Sequence, residues 1–357
     1  MIKYIGSKRT LLKTIVGVIR ALPDVETVID LFSGTSRVGH ALKGAGFRVR
    51  ANDHNAYAHT IARCYVQTDR ESVEEDARRL IGELNHIPGK PGYFTETFCV
   101  KSRFFKPNNG ERIDAIRERV VQLDLAPELE SVLLVSLMEA ADRVDSTTGL
   151  QMAYLKQWAA RAHNDLHLRT PDVLAAVPAG KCVATCLDAK EAAAQLEGDV
   201  AYIDPPYNQH SYLGNYHIWE SLVRWDKPEV YGIACKRIDC RERKSPFNSR
   251  VRFREAFTDL IQSVRAPVLV VSFNDEGYLS REDLISILSR RGEVLVLERD
   301  YRRYVGAQIG IHNLKGEKVG RVSHLRNKEY VCVAGPPDRI AMLDEARETP
   351  HEQAMLF

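Results

Sequence analysis

No stretch of this chain reaches the roughly eighteen uninterrupted apolar residues that a membrane-spanning helix needs, so no span is expected. The N-terminus also lacks the apolar core and cleavage site of a secretory signal, which makes the cytoplasm the expected compartment. Cysteine is scarce and odd in number, seven in 357 residues, as suits reduced thiols rather than a disulfide framework. Cys182-x3-Cys186 and Cys235-x4-Cys240 offer four thiols for a metal. The first pair, however, sits in an apolar strand-like run where thiols serve as packing, and no metal is expected. A dominant charge is missing too. The formal net charge is only +2, so the average says little about partners. Internal repeats and low-complexity tracts are absent.

The composition is that of a soluble globular chain, 44% hydrophobic and 27% charged. Its length suits one large α/β domain with insertions, or two domains. The rest is organised around Asp199-Val-Ala-Tyr-Ile-Asp-Pro-Pro-Tyr207. Val200 to Ile203 reads as a short buried strand, and Asp204-Pro205-Pro206-Tyr207 stops it, since consecutive prolines cannot continue a sheet ladder. A carboxylate and an aromatic ring therefore stand at the carboxyl end of a strand, where open α/β sheets bind ligands.

Taken in order, Lys3-Tyr-Ile-Gly-Ser-Lys8 precedes a helix running to about Leu22. That glycine-serine turn is an ordinary N-cap or, with Lys8 beside exposed N–H groups, a cradle for a carboxylate or phosphate. Val28–Phe32 is the first strand, Ser33-Gly34-Thr35 its turn, Ser36–Gly46 a helix, and Phe47–Ala51 the second strand, ending at Asn52-Asp53. Asp53 lies about twenty residues beyond the glycine turn, the spacing at which a carboxylate holds ribose hydroxyls. Only Gly34 and Gly39 remain of a dinucleotide-binding G-x-G-x-x-G, so an adenosine ligand without a pyrophosphate fits better.

Between about Asn55 and Pro178 the periodicity is helical, with helices expected over Glu71–Leu84, Glu111–Leu123, Pro127–Val144 and Gln151–His163. That is too long for a connection and reads as a separate lobe. Within it, Lys101-Ser-Arg-Phe-Phe-Lys106 and Asn108-Asn-Gly110 either suit a nucleic acid or form a loop packing two phenylalanines. The sheet resumes with Cys182–Leu187, ending at Asp188. Helices follow at Leu213–Val223, Phe253–Val264 and Ser280–Leu288, and strands at Val268–Phe273 and Glu293–Glu298. Tyr301–Asn313 suggests a hairpin, and Tyr330–Val333 closes the sheet. Lys236–Arg254 carries eight basic residues against two acidic, and Arg299–Lys328 repeats that balance. Both suggest a surface that meets phosphate, through Lys236, Arg237, Arg241, Arg243, Lys244, Arg302 and Arg303.

Four strands end in Asp30, Asp53, Asp188 and Asp204. Carboxylates crowded into one crevice call for a ligand with donors and positive charge. S-adenosylmethionine has both, with Lys8 answering its carboxylate and Tyr4, Phe32 or Tyr207 facing its cation. Lys3-Tyr-Ile-Gly-Ser-Lys8, Asp30-Leu-Phe-Ser-Gly34 and Asp204-Pro-Pro-Tyr207, in this order, resemble the Dam-type (α-group) adenine-N6 DNA methyltransferases. The resemblance implies a Rossmann-like fold for S-adenosylmethionine-dependent methyl transfer, with a mostly parallel sheet and an inserted helical recognition lobe. It implies that Tyr4, Lys8, Asp30, Phe32, Ser33, Gly34, Asp53, Asp188 and Asp204 surround S-adenosylmethionine and that Asp204, Pro205, Pro206 and Tyr207 are catalytic. Tyr4 replaces the more usual tryptophan, and Ser36 stands where a second glycine is common. Residues 1–66 and 180–335 would form the catalytic domain, 67–179 the target-recognition lobe, and 336–357 a flexible acidic tail. The expected substrate is adenine flipped from duplex DNA, within a restriction–modification system or as a solitary methylase. An RNA base or a protein amide is the alternative, as is a nucleic-acid-binding subunit without catalysis. The expected partners are DNA, a cognate restriction nuclease and, through Gln353, Leu356 and Phe357, the sliding clamp, whose docking peptides the C-terminus resembles.

Overall fold

The computed structural model describes residues 1–302, 311–312, 318–320 and 326–348. Among the described residues, eleven strands are β1 (Thr27–Asp30), β2 (Arg48–Asn52), β3 (Val183–Thr185), β4 (Val200–Ile203), β5 (Val230–Tyr231), β6 (Lys236–Arg237), β7 (Val268–Asn274), β8 (Glu293–Arg302), β9 (Ile311–His312), β10 (Lys318–Gly320) and β11 (Arg326–Gly335). Seven of them make one sheet in the order β3-β2-β1-β4-β7-β11-β8. The first five run parallel, and β11 enters antiparallel between β7 and β8. The order reverses between β1 and β4, where Ile29 pairs with Ala201 and Asp30 with Tyr202. The carboxyl ends of these two strands therefore open a crevice, the ligand position of doubly wound sheets.

Helices cover both faces because the central strands are apolar on both sides: every residue of β4 is buried. On one face α1 (Leu12–Ala21) and α2 (Arg37–Gly44) pack against Val28, Val49, Val200 and Val268. On the other, α8 (Ala189–Gln195), α11 (Phe253–Ser263) and α12 (Arg281–Leu288) cover Ile29, Ala201, Leu269 and Val271. A third apolar cluster belongs to α3 (Ala56–Ala62), α4 (Glu74–Asn85), α5 (Tyr93–Thr95), α6 (Pro107–Gln122) and α7 (Pro127–Val144). It also takes in Ile2 from the N-terminus and Tyr216, Trp219 and Leu222 from the region of α9 (Tyr212–Asn215) and α10 (His217–Arg224). The helical segment thus packs directly onto the chain that follows β4.

Three local expectations fail, each for a visible reason. Gln151–His163 is not a helix but an ordered irregular segment with one 3-10 turn at Ala160–His163. Its polar groups bond to other elements: Gln151 accepts from the Ile218 N–H through Oε1 at 2.8 Å, and the Leu155 N–H donates to the Ser146 carbonyl. The helix expected over Leu213–Val223 breaks at Tyr216, whose hydroxyl accepts the Ile5 N–H at 2.6 Å and whose ring stacks on Tyr4. Third, the expected flexible tail from 336 opens with helix α13 (Pro337–Glu348). Ile340 and Leu343, spaced to share one face, are buried against α1 and β8. The hairpin expected at Tyr301–Asn313 and the peptide Gln353–Phe357 fall largely or wholly outside the described residues, although β8 extends through Arg302.

Leu343→Ala should therefore cost about 2–4 kcal/mol in chemical denaturation, the usual cost of emptying a core leucine site. An unchanged midpoint would return this segment to the solvated tail that its composition suggests.

Candidate active site

Three strand ends, those of β1, β2 and β4, contribute carboxylates to the crevice, and the local backbone explains where each one sits. Asp30 closes β1 and is buried. Its Oδ2 accepts the Gly39 N–H at 3.0 Å, an approach that leaves no room for a Cβ at Gly39. Burial pushes its carboxyl up to about 7, against the lowering effect of that N–H. Gly34 in the following turn has φ +49°, and an added Cβ would stand 3.3 Å from the Tyr4 ring. Asp53, just past β2, fixes this turn by accepting the Gly34 N–H at 3.0 Å and the Asn55 N–H at 3.0 Å. Ser36 is left-handed, φ +55°, which accounts physically for the glycine that the resemblance leads one to expect there.

These residues surround a cleft of about 620 Å3, counting its open mouth. Tyr4, Lys8, Asp30, Phe32, Ser33, Gly34, Asp53 and Asp204 all line it, as does Pro206. Four buried polar atoms of the lining have no partner: Asp30 Oδ1, Ser33 Oγ, Asn55 Oδ1 and the donor Arg37 Nε. Buried groups of this kind ordinarily hydrogen-bond, so the cleft fits a ligand that brings donors as well as an acceptor, such as one with an ammonium, ribose hydroxyls and a carboxylate.

The catalytic candidates meet Lys8. Its Nζ lies 3.2 Å from Asp204 Oδ1 and 5.5 Å from the centre of the Tyr207 ring. Lys8, expected to answer a ligand carboxylate, here answers Asp204, since two opposite charges in one buried cleft neutralise each other. Burial raises the Asp204 carboxyl to about 6 while Lys8 pulls it down. Burial is the largest single influence and works against the Lys8 ammonium, but Asp204 together with Tyr207, Glu329 and Tyr202 outweighs it and keeps the amine protonated. Pro205 is buried behind the motif, and Tyr207 leans on Phe273 with its hydroxyl accepting from Asn274 Nδ2 at 3.1 Å.

Three of the expected site residues are engaged elsewhere in the structure. Asp188 does not line the cleft; it is exposed and caps α8, accepting the Lys190 N–H at 2.9 Å. Arg237 is buried, gripping Asp226 at 2.7 Å through both terminal nitrogens and Asp239 through Nε at 3.1 Å. Arg243 is likewise engaged within the fold, with Glu220 at 3.0 Å and the His54 carbonyl at 2.9 Å. Arg241 and Lys244 are exposed and Lys236 half-buried, Arg241 lying over the Tyr231 ring at 3.8 Å. Arg302 is described only as backbone in β8, and Arg303 lies outside the described residues.

Sequence reasoning also missed an aromatic group. Tyr4 stacks on Tyr212 at 5.2 Å and on Tyr216 at 4.5 Å, and its hydroxyl meets that of Tyr57 at 3.1 Å. The signal was available: Tyr212 and Tyr216 stand four apart just past the catalytic motif, a helical spacing.

A mostly parallel seven-stranded sheet with this crevice at its switch point is the Rossmann-like fold of S-adenosylmethionine-dependent methyltransferases. A family model described as D12 class N6 adenine-specific DNA methyltransferase matches residues 4–276, and the chain belongs to that family. It is 29% identical over 321 residues to modification methylase StsI of Streptococcus sanguinis, covering 85% of this chain and 48% of that protein. It is 31% identical to Type II methyltransferase M.FokI of Planomicrobium okeanokoites, covering 85% and 49%. The chain thus spans about half the length of these two relatives. With Type II methyltransferase M.NlaIII of Neisseria lactamica the identity is 28%, covering 92% of this chain and 99% of that one.

Arg237→Ala should destabilise the fold by about 1–3 kcal/mol, because two partly solvated carboxylates lose their shared partner. The salt dependence of DNA binding should stay unchanged. A flatter salt slope with unaltered stability would restore Arg237 as a phosphate contact.

Proposed function

We propose that this chain transfers a methyl group from S-adenosylmethionine to the N6 amine of an adenine flipped out of duplex DNA. The observation that carries the reading is Asp204, held beside Lys8 at the end of β4 and facing the cleft shared with the Tyr4–Gly34 turn. Asp53 is suited to the ribose hydroxyls, and Asp30 Oδ1 and Ser33 Oγ to the polar groups of the amino-acid portion. When bound, S-adenosylmethionine supplies an electrophilic methyl group on a sulfonium.

The chain's own residues supply the rest. An exocyclic adenine amine is a poor nucleophile because its lone pair is delocalised into the ring. Lys8 engages Asp204 Oδ1, leaving Oδ2 to accept one amine N–H, while the Pro205 carbonyl accepts the other. Two acceptors on one nitrogen favour a pyramidal geometry whose lone pair is free to attack. Tyr207 offers a ring face for the base, which repays part of the few kcal/mol that flipping costs. Asp204 also stands within reach of the proton that the amine loses.

We assign DNA binding to the helical segment 67–179 together with the exposed cations Arg241 and Lys244. In that segment Arg103 and Lys106 lie over the Trp158 ring at 4.8 and 5.8 Å, beside the exposed Lys156. Cations grouped around an aromatic suit phosphate and base together. The reading puts the enzyme in the cytoplasm with its DNA, as the modification half of a restriction–modification pair or as a solitary methylase. Gln353, Leu356 and Phe357 would tether it to the sliding clamp.

Incubation with labelled cofactor and unmethylated duplex DNA, followed by digestion to nucleosides, should give label in N6-methyladenine only. None should form with Asp204→Ala. Label confined to RNA or protein would overturn the reading. Asp204 can take up the proton that the amine loses only when ionised, and its carboxyl sits at about 6. The kcat should therefore fall as pH drops through about 6 and level off above it.

A further inference from the structure

The catalytic motif is followed at once by Asn208-Gln209-His210, of which Gln209 and His210 are exposed. Such a segment needs something to hold it, because the Pro205 carbonyl and the Tyr207 ring act only if the chain beyond them is fixed. The holder comes from about forty residues further on. Asn248, in the 3-10 turn Pro246–Asn248, donates from its single amide nitrogen to two backbone carbonyls, Asn208 at 2.8 Å and His210 at 3.0 Å. One NH2 group thereby clasps two carbonyls two residues apart, a use of both its hydrogens.

The clasp is itself anchored on three sides. Ser245 caps the turn by accepting the Phe247 N–H at 3.2 Å. Phe247 is buried and meets Phe32, in the cleft wall, edge-on at 5.4 Å. Tyr278 donates its hydroxyl to the Asn248 carbonyl at 3.3 Å, while its N–H donates to the Tyr207 carbonyl at 3.2 Å. The turn therefore touches the cofactor-side loop through Phe247 and the catalytic loop through Asn248. Lys244 and Arg250, both exposed, flank it in the chain.

We propose that Asn248 is a positioning residue of the methyl-transfer site, clasping the chain after Tyr207 so that the Asp204–Tyr207 acceptors and ring stay aligned on the bound adenine. The proposal rests on the adenine-methylation reading for its kinetic consequence but not for the clasp itself. Asn248 touches neither the cleft nor the residues assigned to the cofactor, apart from the support its neighbour gives Phe32. Its loss should consequently act on turnover and leave cofactor affinity alone. Displacing a reacting group by about an ångström is enough to cost on the order of 100-fold in rate.

Asn248→Asp keeps the shape and removes both donors, and Asn248→Ala removes the group outright. In the full chain both should lower kcat about 10- to 100-fold on genomic DNA lacking adenine methylation. The Kd for S-adenosylmethionine, by calorimetry, should stay within about twofold of wild type. Hydrogen–deuterium exchange should rise over residues 207–212 and not over the Phe253–Ser263 helix. Wild-type kcat and exchange in both variants would overturn the proposal. Equal losses in cofactor affinity and turnover would also overturn it, because they would make Asn248 a general fold residue. If the wild-type chain methylates no adenine, the functional reading fails by itself, and the exchange measurement still decides the clasp.

Discussion

The Lys8–Asp204 ion pair is the constraint on which the rest of the site depends. Both groups are largely withdrawn from water, Lys8 being 5% and Asp204 19% exposed at the side chain. At their separation and an effective dielectric near 20 the attraction is about 5 kcal/mol. Desolvation costs several kcal/mol per ion, so the pair is close to neutral for stability. Its value is positional: it fixes one carboxylate oxygen and keeps the acid ionised against burial. The two prolines then stop β4 at that carboxylate, and the sheet order sets it beside the end of β1.

The same short N-terminal segment reaches in both directions. Five residues before Lys8, Lys3 donates through Nζ to the Asp142 carbonyl at 2.5 Å and to Asp145 at 2.9 Å, at the end of α7. Arg161, from the irregular segment after α7, shares Asp145 at 2.7 Å. Tyr4 lies between them, stacked on Tyr216 and set against Gly34. The helical segment assigned to DNA, the cofactor turn and the catalytic acid are therefore joined through six residues of chain. Movement in any one of them has a short path to the others.

Much of this was legible in the sequence because it is local. The apolar runs at Val28 and Val200 and the stop at Asp204-Pro-Pro mark the sheet and its crevice, and α7 runs over Pro127–Val144 as its periodicity predicts. What was not legible depends on partners distant in sequence. A count of positive charges includes Arg237 but does not reveal Asp226 and Asp239 closing around it. A strand ending in aspartate makes Asp188 equal to Asp30, until the helix that follows takes its carboxylate as a cap. Lys8 reads as an anion binder because its real partner is far along the chain, and Asn248 gives no local sign at all. The acidic tail shows the same limit, since its charges conceal the Ile340–Leu343 face that docks on α1.

The central claim, that Lys8 holds Asp204 ionised against its burial, can be measured directly. The titration of the Asp204 carboxyl, followed by carbon-13 NMR in wild type and in Lys8→Met, isolates the pair. Wild type should titrate at about 6, above the ordinary aspartate range. Lys8→Met removes the one lowering influence and leaves burial, so its midpoint should move higher. A wild-type midpoint in the ordinary range, or one that Lys8→Met leaves in place or lowers, would contradict the account.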